Sequence, residues 1–367
     1  MSATARVQDG REAAPAGAVP SQSPDSASAA AAAVRTMRDI RCSYGQVEQL
    51  FRHRASTIRP APAVPAEVAG TPRSPVRIHR PVLIHRPEGT HVTTQLRAAV
   101  LGSPIAHSLS PALHRAGYAA LGMAERRYDR FEVDEAGLPE FIERIDPAEW
   151  AGLSLTMPLK RAIVPLLDEV SPTALAVDAV NTVVFGRDGR RSGDNTDVPG
   201  LVNALRERGV ERVDSAAVLG AGATASSALA ALAEVCTGEV TVHVRSAERA
   251  ALMQELGDRL GLRVRTAAWE DGAEALAHPL TISTTPAGAT DGFAGALPAE
   301  PGVLFDVLYH PWPTRLAAAC AERGGTVLGG LDLLVHQAVL QFEAFTGVKP
   351  GPLTAMRAAG EAALAEG

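Results

Sequence analysis

The chain has 367 residues, 46% of them hydrophobic, and a formal net charge of −6, which is enough material for two domains with full cores. No apolar run approaches the roughly 20 residues of a membrane span. The three cysteines (Cys42, Cys236, Cys320) are odd in number, far apart and outside any metal-ligand spacing; they argue against a disulfide framework and a metal site and for reduced thiols in a cytoplasm. Charge is uneven: residues 1–92 carry 12 arginines against 7 acids, while the rest carries 23 basic and 34 acidic residues, and an acidic body argues against a nucleic-acid partner.

Residues 1–92 are crowded with Ala, Pro, Ser and Arg, include the run Ala29–Ala33, and repeat Ile78-His-Arg-Pro as Ile84-His-Arg-Pro. Such a stretch buries too little apolar surface to offset chain entropy, so disorder is expected, with a weak helix around Val34–Phe51. No long apolar core follows the early arginines, which speaks against a secretory signal. A later translation start, at Val92, is the reading preferred here.

From Leu96 the text becomes that of a folded body. Leu96–Gly102 reads as a strand; Ser110-Pro111 reads as an N-cap and first helical position, opening a helix that carries Leu113, Ala116, Tyr118, Ala120 and Leu121. A helix over Leu138–Ile145, a strand over Leu153–Thr156, a strand over Val180–Phe185 turned by Asp188-Gly189, and a helix from about Val198 to Arg208 follow. Ala216–Leu219 then begins a regular alternation: a glycine turn, helix Ala225–Val235, strand Val240–Val244, helix Ala247–Leu256, and strands at Leu280–Ser283, Val303–Val307 and Thr326–Leu328. Strands alternating with helices are the mark of βαβ units on a parallel sheet. Helices over about Asp332–Thr346 and Leu353–Ala365 close the chain, and Cys236 and Cys320 fall in apolar helical stretches as core residues.

Gly220-Ala221-Gly222-Ala223-Thr224-Ala225 follows a predicted strand and opens a helix, the context that lifts a G-x-G-x-x-A match above chance. Gly220 permits the tight turn, Gly222 lets backbone approach a pyrophosphate, and Ala225 permits close helix–strand packing. At the end of the next strand, where an NAD site wants an acid, stand Arg245 and Ser246, with Arg249 a turn later. Two guanidiniums and a hydroxyl suit a 2′-phosphate, so NADP is favoured.

Of the 35 basic residues only Lys160 and Lys349 are lysines. Lys349, near the chain end, reads as a surface residue. Lys160 closes Gly152-Leu-Ser-Leu-Thr-Met-Pro-Leu-Lys160, and where arginine has replaced almost every other cation, a retained ammonium points to proton transfer that a guanidinium cannot perform. Three segments rich in small polar groups accompany it: Gly102 to Pro111 with Ser108 and Ser110, Ala179-Val-Asn181-Thr, and Gly193-Asp-Asn-Thr-Asp197. His107 beside the serines suggests a serine-hydrolase arrangement, but no G-x-S-x-G elbow is present, so His107, like His336, is read as structural.

With Thr156, Lys160 and the dinucleotide turn, these segments resemble in order and spacing the shikimate dehydrogenase family, over about 270 residues from Leu96. The resemblance implies an α/β fold of two domains: a substrate-binding domain of residues 96–196 plus 331–367, and a Rossmann-like NADP-binding domain with a parallel sheet over residues 197–330. It implies Lys160 and Asp197 as the catalytic pair, and Ser108, Ser110 and Tyr309 as ligands of the substrate carboxylate. Thr156, Asn181 and Gln337 would hold the ring hydroxyls, and Gly330 and Leu333 would flank the nicotinamide. Two positions depart from the family pattern. Ser154 stands where many members have asparagine, a shorter group expected to reach substrate through water, and Val244 replaces an asparagine before the cofactor arginine. The implied reaction is reversible NADPH-dependent reduction of 3-dehydroshikimate to shikimate, by a monomer or homodimer. The alternatives are a quinate/shikimate dehydrogenase using NAD and a non-catalytic dinucleotide-binding regulator.

Overall fold

A computed structural model describes residues 96–366. The disorder expected over residues 1–92, the helix expected at Val34–Phe51, and Cys42 lie outside the described residues.

Two six-stranded sheets organise the molecule. The first is built from β1 (Arg97–Gly102), β2 (Arg127–Glu132), β3 (Trp150–Leu155), β4 (Glu169–Val170), β5 (Thr182–Phe185) and β6 (Arg191–Asp194), in the spatial order β2-β1-β3-β5-β6-β4. Strands β2, β1 and β3 run parallel, and β5 then pairs antiparallel with both β3 and β6. Helix α1 (Ser110–Ala120) follows β1, α2 (Leu138–Glu143) follows β2, and the short α3 (Leu159–Ala162) and α4 (Pro172–Val177) follow β3 and β4. Gly152 in β3 is needed for packing: a Cβ there would lie 2.2 Å from the ring of Phe345 and 2.4 Å from the Val183 carbonyl.

The second sheet is wholly parallel: β7 (Ala216–Leu219), β8 (Glu239–Val244), β9 (Arg263–Ala268), β10 (Leu280–Ser283), β11 (Val303–Asp306) and β12 (Thr326–Leu328). Their order, β12-β11-β10-β7-β8-β9, is that of a doubly wound dinucleotide fold, with the crevice at the β7/β10 reversal. Its central strands are fully buried, as helices on both faces require, with β7 wholly apolar and β10 carrying Thr281 and Ser283 beside Leu280 and Ile282. Between the sheets in sequence lies α5 (Asp197–Glu207); α6 (Ala223–Val235), α7 (Ala247–Leu260) and α8 (Arg315–Glu322) belong to the second sheet. Helix α9 (Gly330–Thr346) leaves β12 and packs on α5 and against β3 and β5, and α10 (Leu353–Glu366) packs on α1 and α9.

One expectation is corrected, and several strands were not foreseen. Ser110 is the first residue of α1, not its N-cap; Leu109 precedes the helix, Pro111 falls at the second position, and the nearby side-chain acceptor is Ser108 Oγ, 3.4 Å from the Ser110 N–H. Strands β2, β4, β6 and β9 were not anticipated: charged residues break up the apolar signal in the edge strands β2 and β9, β4 is an edge strand of two residues, and β6 (Arg-Ser-Gly-Asp) has no apolar side chain. Val177 and Ala179, at the end of α4 in the sequence of the first sheet, pack with Val198 and Leu201 of α5 into the core beneath β7. Cys236 and Cys320 are buried and unpaired, Cys236 just beyond the end of α6 and Cys320 within α8. Among the described residues no helix is long and apolar enough to cross a membrane.

Candidate active site

The chain turns that end β1, β3 and β5's neighbour β6 converge with one face of α9 on a cavity of about 280 Å³. Ser108 and Ser110 reach it from the β1–α1 junction, and Ser154 and Thr156 from the end of β3. Lys160 enters from α3, Asn181 from just before β5, and Asp197 from the first turn of α5. Across the cavity stand Tyr309, Gly330, Leu333 and Gln337. The expected substrate and catalytic residues are therefore neighbours in space, and the two residues expected at the nicotinamide share the cavity with them.

Lys160 Nζ lies 2.6 Å from Asp197 Oδ2, bridging 37 positions of sequence, with the two side chains 16% and 8% exposed. Asn181 Nδ2 donates to the other carboxylate oxygen at 2.8 Å. Asp197 is aimed by its backbone as well. Asn195 Oδ1 accepts from the N–H groups of Asp197 and Val198, at 3.0 and 3.2 Å, satisfying donors that the start of α5 would otherwise leave orphaned. The α5 N-terminus itself favours a negative charge at that position. Gln337 turns its amide to the Leu334 carbonyl (2.8 Å) within α9. Ser154 is more committed than its sequence suggests: Tyr128 donates to its hydroxyl and it donates to Gln341 Oε1, both at 2.6 Å. His107, expected to be structural, is instead exposed on the cavity rim, whereas His336 is tied to Glu207 at 3.0 Å.

Tyr309 is presented by a loop that Asp306 organises. The buried Asp306 carboxylate accepts from Thr314 Oγ1 at 2.8 Å and from the Leu308 N–H at 3.3 Å, and burial raises its pKa. Burial likewise raises that of the Tyr309 phenol, which keeps it a hydrogen-bond donor.

The dinucleotide turn has the features that a pyrophosphate requires. Gly220 sits at φ +109°, and a Cβ there would lie 2.6 Å from Thr284 Oγ1. A Cβ on Gly222 would meet nothing within 4 Å, so open space faces the N-terminus of α6 beside Ala221, Ala223 and Thr224, while Ala225 is fully buried against the sheet. At the tip of β8, Ser246 caps α7 by accepting from the Arg249 N–H (3.3 Å), and Arg249 Nη1 donates to the Ala221 carbonyl at 3.3 Å. Arg245 stacks 4.8 Å above the indole of Trp269, beside a hollow of about 310 Å³ bordered by Val244 and Glu270. The residues present thus fit an NADP-type group: a turn of small residues opening a helix N-terminus, and two exposed arginines beside the end of β8.

Sequence reasoning passed over Tyr128, Asn195, Trp269, Asp306 and Gln341. Only Asn195 carried a signal, as an Asx residue two positions before a helix start, and it lay inside a segment already singled out.

A doubly wound dinucleotide sheet joined to a second α/β sheet, with a lysine–aspartate pair in the cavity between, defines the class of two-domain nicotinamide-dependent dehydrogenases. Residues 100–183 match the family model described as shikimate dehydrogenase substrate binding domain, and residues 330–359 the one described as Shikimate 5′-dehydrogenase C-terminal domain. The chain is 38% identical over 276 residues to the shikimate dehydrogenase (NADP(+)) of Oleidesulfovibrio alaskensis, an alignment covering 73% of this chain and 95% of the relative. Among solved structures, the Mycobacterium tuberculosis shikimate dehydrogenase superposes with a TM-score of 0.67 at 43% identity, over 72% of this chain and 99% of that one. The Thermus thermophilus shikimate 5-dehydrogenase, solved in complex with NADP(H) and shikimate, superposes with a TM-score of 0.64 at 35% identity, over 73% of this chain and 99% of that one. The chain belongs to the shikimate dehydrogenase family.

Proposed function

We propose that this chain is an NADP-dependent shikimate dehydrogenase, interconverting 3-dehydroshikimate and shikimate in aromatic amino-acid biosynthesis. The observation that carries the reading is the Lys160–Asp197 pair, closed at 2.6 Å in a cavity that also contains Gly330 and Leu333. A small polyhydroxy acid needs many short donors and acceptors and little apolar surface, and serines, threonine, asparagine and glutamine supply them here.

The chemistry that bound NADP(H) supplies is a hydride, with Gly220–Ala225 holding its pyrophosphate, Arg245, Ser246 and Arg249 its 2′-phosphate, and Gly330 and Leu333 its reactive ring. Ser108, Ser110 and Tyr309 hold the substrate carboxylate, while Thr156, Asn181 and Gln337 hold the ring hydroxyls, with Ser154 in the wall behind them. As the ring ketone gains alkoxide character, the Lys160 ammonium stabilises it and gives it a proton from Nζ. Asp197 Oδ2 holds that ammonium in place, and its carboxylate shares the hydrogen bonding of the reacting hydroxyl. In the reverse direction the same pair withdraws the hydroxyl proton.

We divide the chain into a substrate domain of residues 96–196 plus 331–367 and a nucleotide domain of residues 197–330. The unpaired, buried thiols of Cys236 and Cys320 suit a reducing cytoplasm, and the enzyme would act there as a monomer or homodimer. The test is to follow NADPH formation with shikimate, against quinate with NAD⁺ as the control pair. Turnover should be fastest with shikimate and NADP⁺, and a clear preference for quinate with NAD⁺ would reject the assignment.

A further inference from the structure

Behind the catalytic pair runs a chain of hydrogen bonds whose direction is fixed by two backbone groups. Asn181 Oδ1 accepts from the Thr196 N–H at 2.8 Å. A backbone N–H can only donate, so the amide oxygen faces it and the amide nitrogen faces Asp197. Gln341 Nε2 lies 3.1 Å from the Asn181 carbonyl oxygen. That oxygen can only accept, so the Gln341 nitrogen faces the strand and its Oε1 faces Ser154.

The protons on Ser154 and Tyr128 are then determined as well. Ser154 must donate to Gln341 Oε1, and Tyr128 to Ser154, each at 2.6 Å. Onward, Gln341 Nε2 donates to Thr182 Oγ1 at 3.0 Å and Thr182 donates to Asn181 Oδ1 at 2.7 Å. Asn181 Nδ2 donates to Asp197 Oδ1 at 2.8 Å. All the donors point toward the carboxylate whose second oxygen receives Lys160. At the far end, burial drives the Tyr128 phenol well above its ordinary pKa, so it remains a donor.

We propose that Thr182 is a positioning residue for the catalytic pair, holding Asn181 and through it the Asp197 carboxylate in register with Lys160. The inference rests on the functional reading above. Thr182 is 1% exposed and lies behind the residues that line the cavity, so it acts only through its neighbours. It is also the junction of the chain: Thr196 Oγ1 approaches it at 3.2 Å and donates to the same Asn181 oxygen at 3.1 Å. Removing the hydroxyl takes an acceptor from Gln341 and the shortest of three donors from Asn181 Oδ1, so the amide that meets Asp197 is held less firmly. Bonds in such a chain polarise one another, so a break in the middle weakens the whole.

The experiment compares Thr182→Val, nearly isosteric but without the hydroxyl, with Thr182→Ser, which keeps it. Turnover is normalised to sites titrated with NADPH, so a fall in folded protein does not register as a fall in kcat. Thr182→Val should lower kcat about tenfold or more, the scale for a displaced catalytic group, with the KM for NADP⁺ unchanged. Thr182→Ser should restore kcat to within roughly threefold of the parent. Tyr128→Phe should cost less than Thr182→Val, and nothing further when added to it. Parental kcat in Thr182→Val, a Thr182→Ser as impaired as the valine variant, or a Tyr128→Phe equally costly in both backgrounds would overturn the proposal. Should Thr182→Val fail to fold, Thr182→Cys, whose thiol is a weak donor, takes its place with the same expected loss. An unsubstituted enzyme that does not turn over shikimate with NADP⁺ would instead remove the functional reading, and the two failures are thereby distinct.

Discussion

At the substrate end of the cleft, Lys160 and Asp197 are 16% and 8% exposed and Asp197 is gripped from three sides, by Lys160, Asn181 and the start of α5. At the nucleotide end, Arg245 and Arg249 are exposed, one stacked on an indole and the other bonded to a single carbonyl. The difference matches what the proposed function asks of each end. Proton transfer needs fixed geometry in a place where water cannot screen charge, which only burial with full hydrogen bonding provides. Charged phosphate binding needs arginines that remain accessible until the ligand arrives, with a rigid surface such as Trp269 to limit their wandering.

The most severe way to probe the first end is Lys160→Ala. It should lower kcat at least ~100-fold, the scale for a lost proton-transfer group, with a modest change in substrate KM. Lys160→Arg should not rescue it, because a guanidinium keeps the charge but not the transferable proton. Full activity in either variant would break the contrast at its stronger side. At the second end, Arg245→Ala should raise the KM for NADP⁺ roughly tenfold, the discounted worth of a charge-assisted contact at an exposed site, and leave kcat and the KM for NAD⁺ unchanged. An equal rise for both cofactors would mean that Arg245 does not read the 2′-phosphate.

What the sequence disclosed follows the same division. Lys160 was conspicuous because arginine had displaced lysine almost everywhere else, and Gly220 because its turn sits between an apolar strand and a helix. Gln341 was invisible: four residues past Gln337 on α9, it falls among Phe342 and Phe345 in what reads as an ordinary core stripe. Tyr128 was hidden because β2 is an edge strand whose arginines and acids mask its one fully buried side chain. Ser154 was read as a shortened asparagine reaching through water, and its protein partners, Tyr128 and Gln341, lie 26 and 187 positions away, beyond any local pattern. Local pattern exposes the residues that face a ligand, and long-range packing determines those that hold them.

Below the substrate cavity, His114 gives a test of how completely that end is dehydrated. It is fully buried and stacked on Tyr128 at 4.0 Å and 8°. Burial lowers its pKa from 6.5 to about 3, an effect that the Gln341 amide only partly offsets. The folded protein therefore keeps His114 neutral at pH 5, whereas the unfolded chain takes up a proton as pH falls through 6.5. Stability present above that pH is lost below it, at about 1.4 kcal/mol per pH unit. Replacing His114 by Phe should cut the fall in unfolding free energy between pH 7 and pH 5 by about 2 kcal/mol, measured by urea titration. An unchanged fall would mean that water reaches the ring.

The smallest effect is expected where a pair has none of these supports. Arg144 and Glu140 form an i,i+4 ion pair at the end of α2 with side chains 75% and 68% exposed. Solvent screens both charges, and holding two long side chains together consumes most of the Coulomb gain. Arg144→Ala should change the unfolding free energy by no more than about 0.5 kcal/mol and leave kcat untouched. The same truncation at Lys160 strands a buried carboxylate as well as removing a proton donor, so Lys160→Ala should also destabilise the protein by clearly more than Arg144→Ala does. Equal losses in the two variants would show that the Lys160–Asp197 pair is as well solvated as a surface pair, and that the geometry at the substrate end is not held by burial.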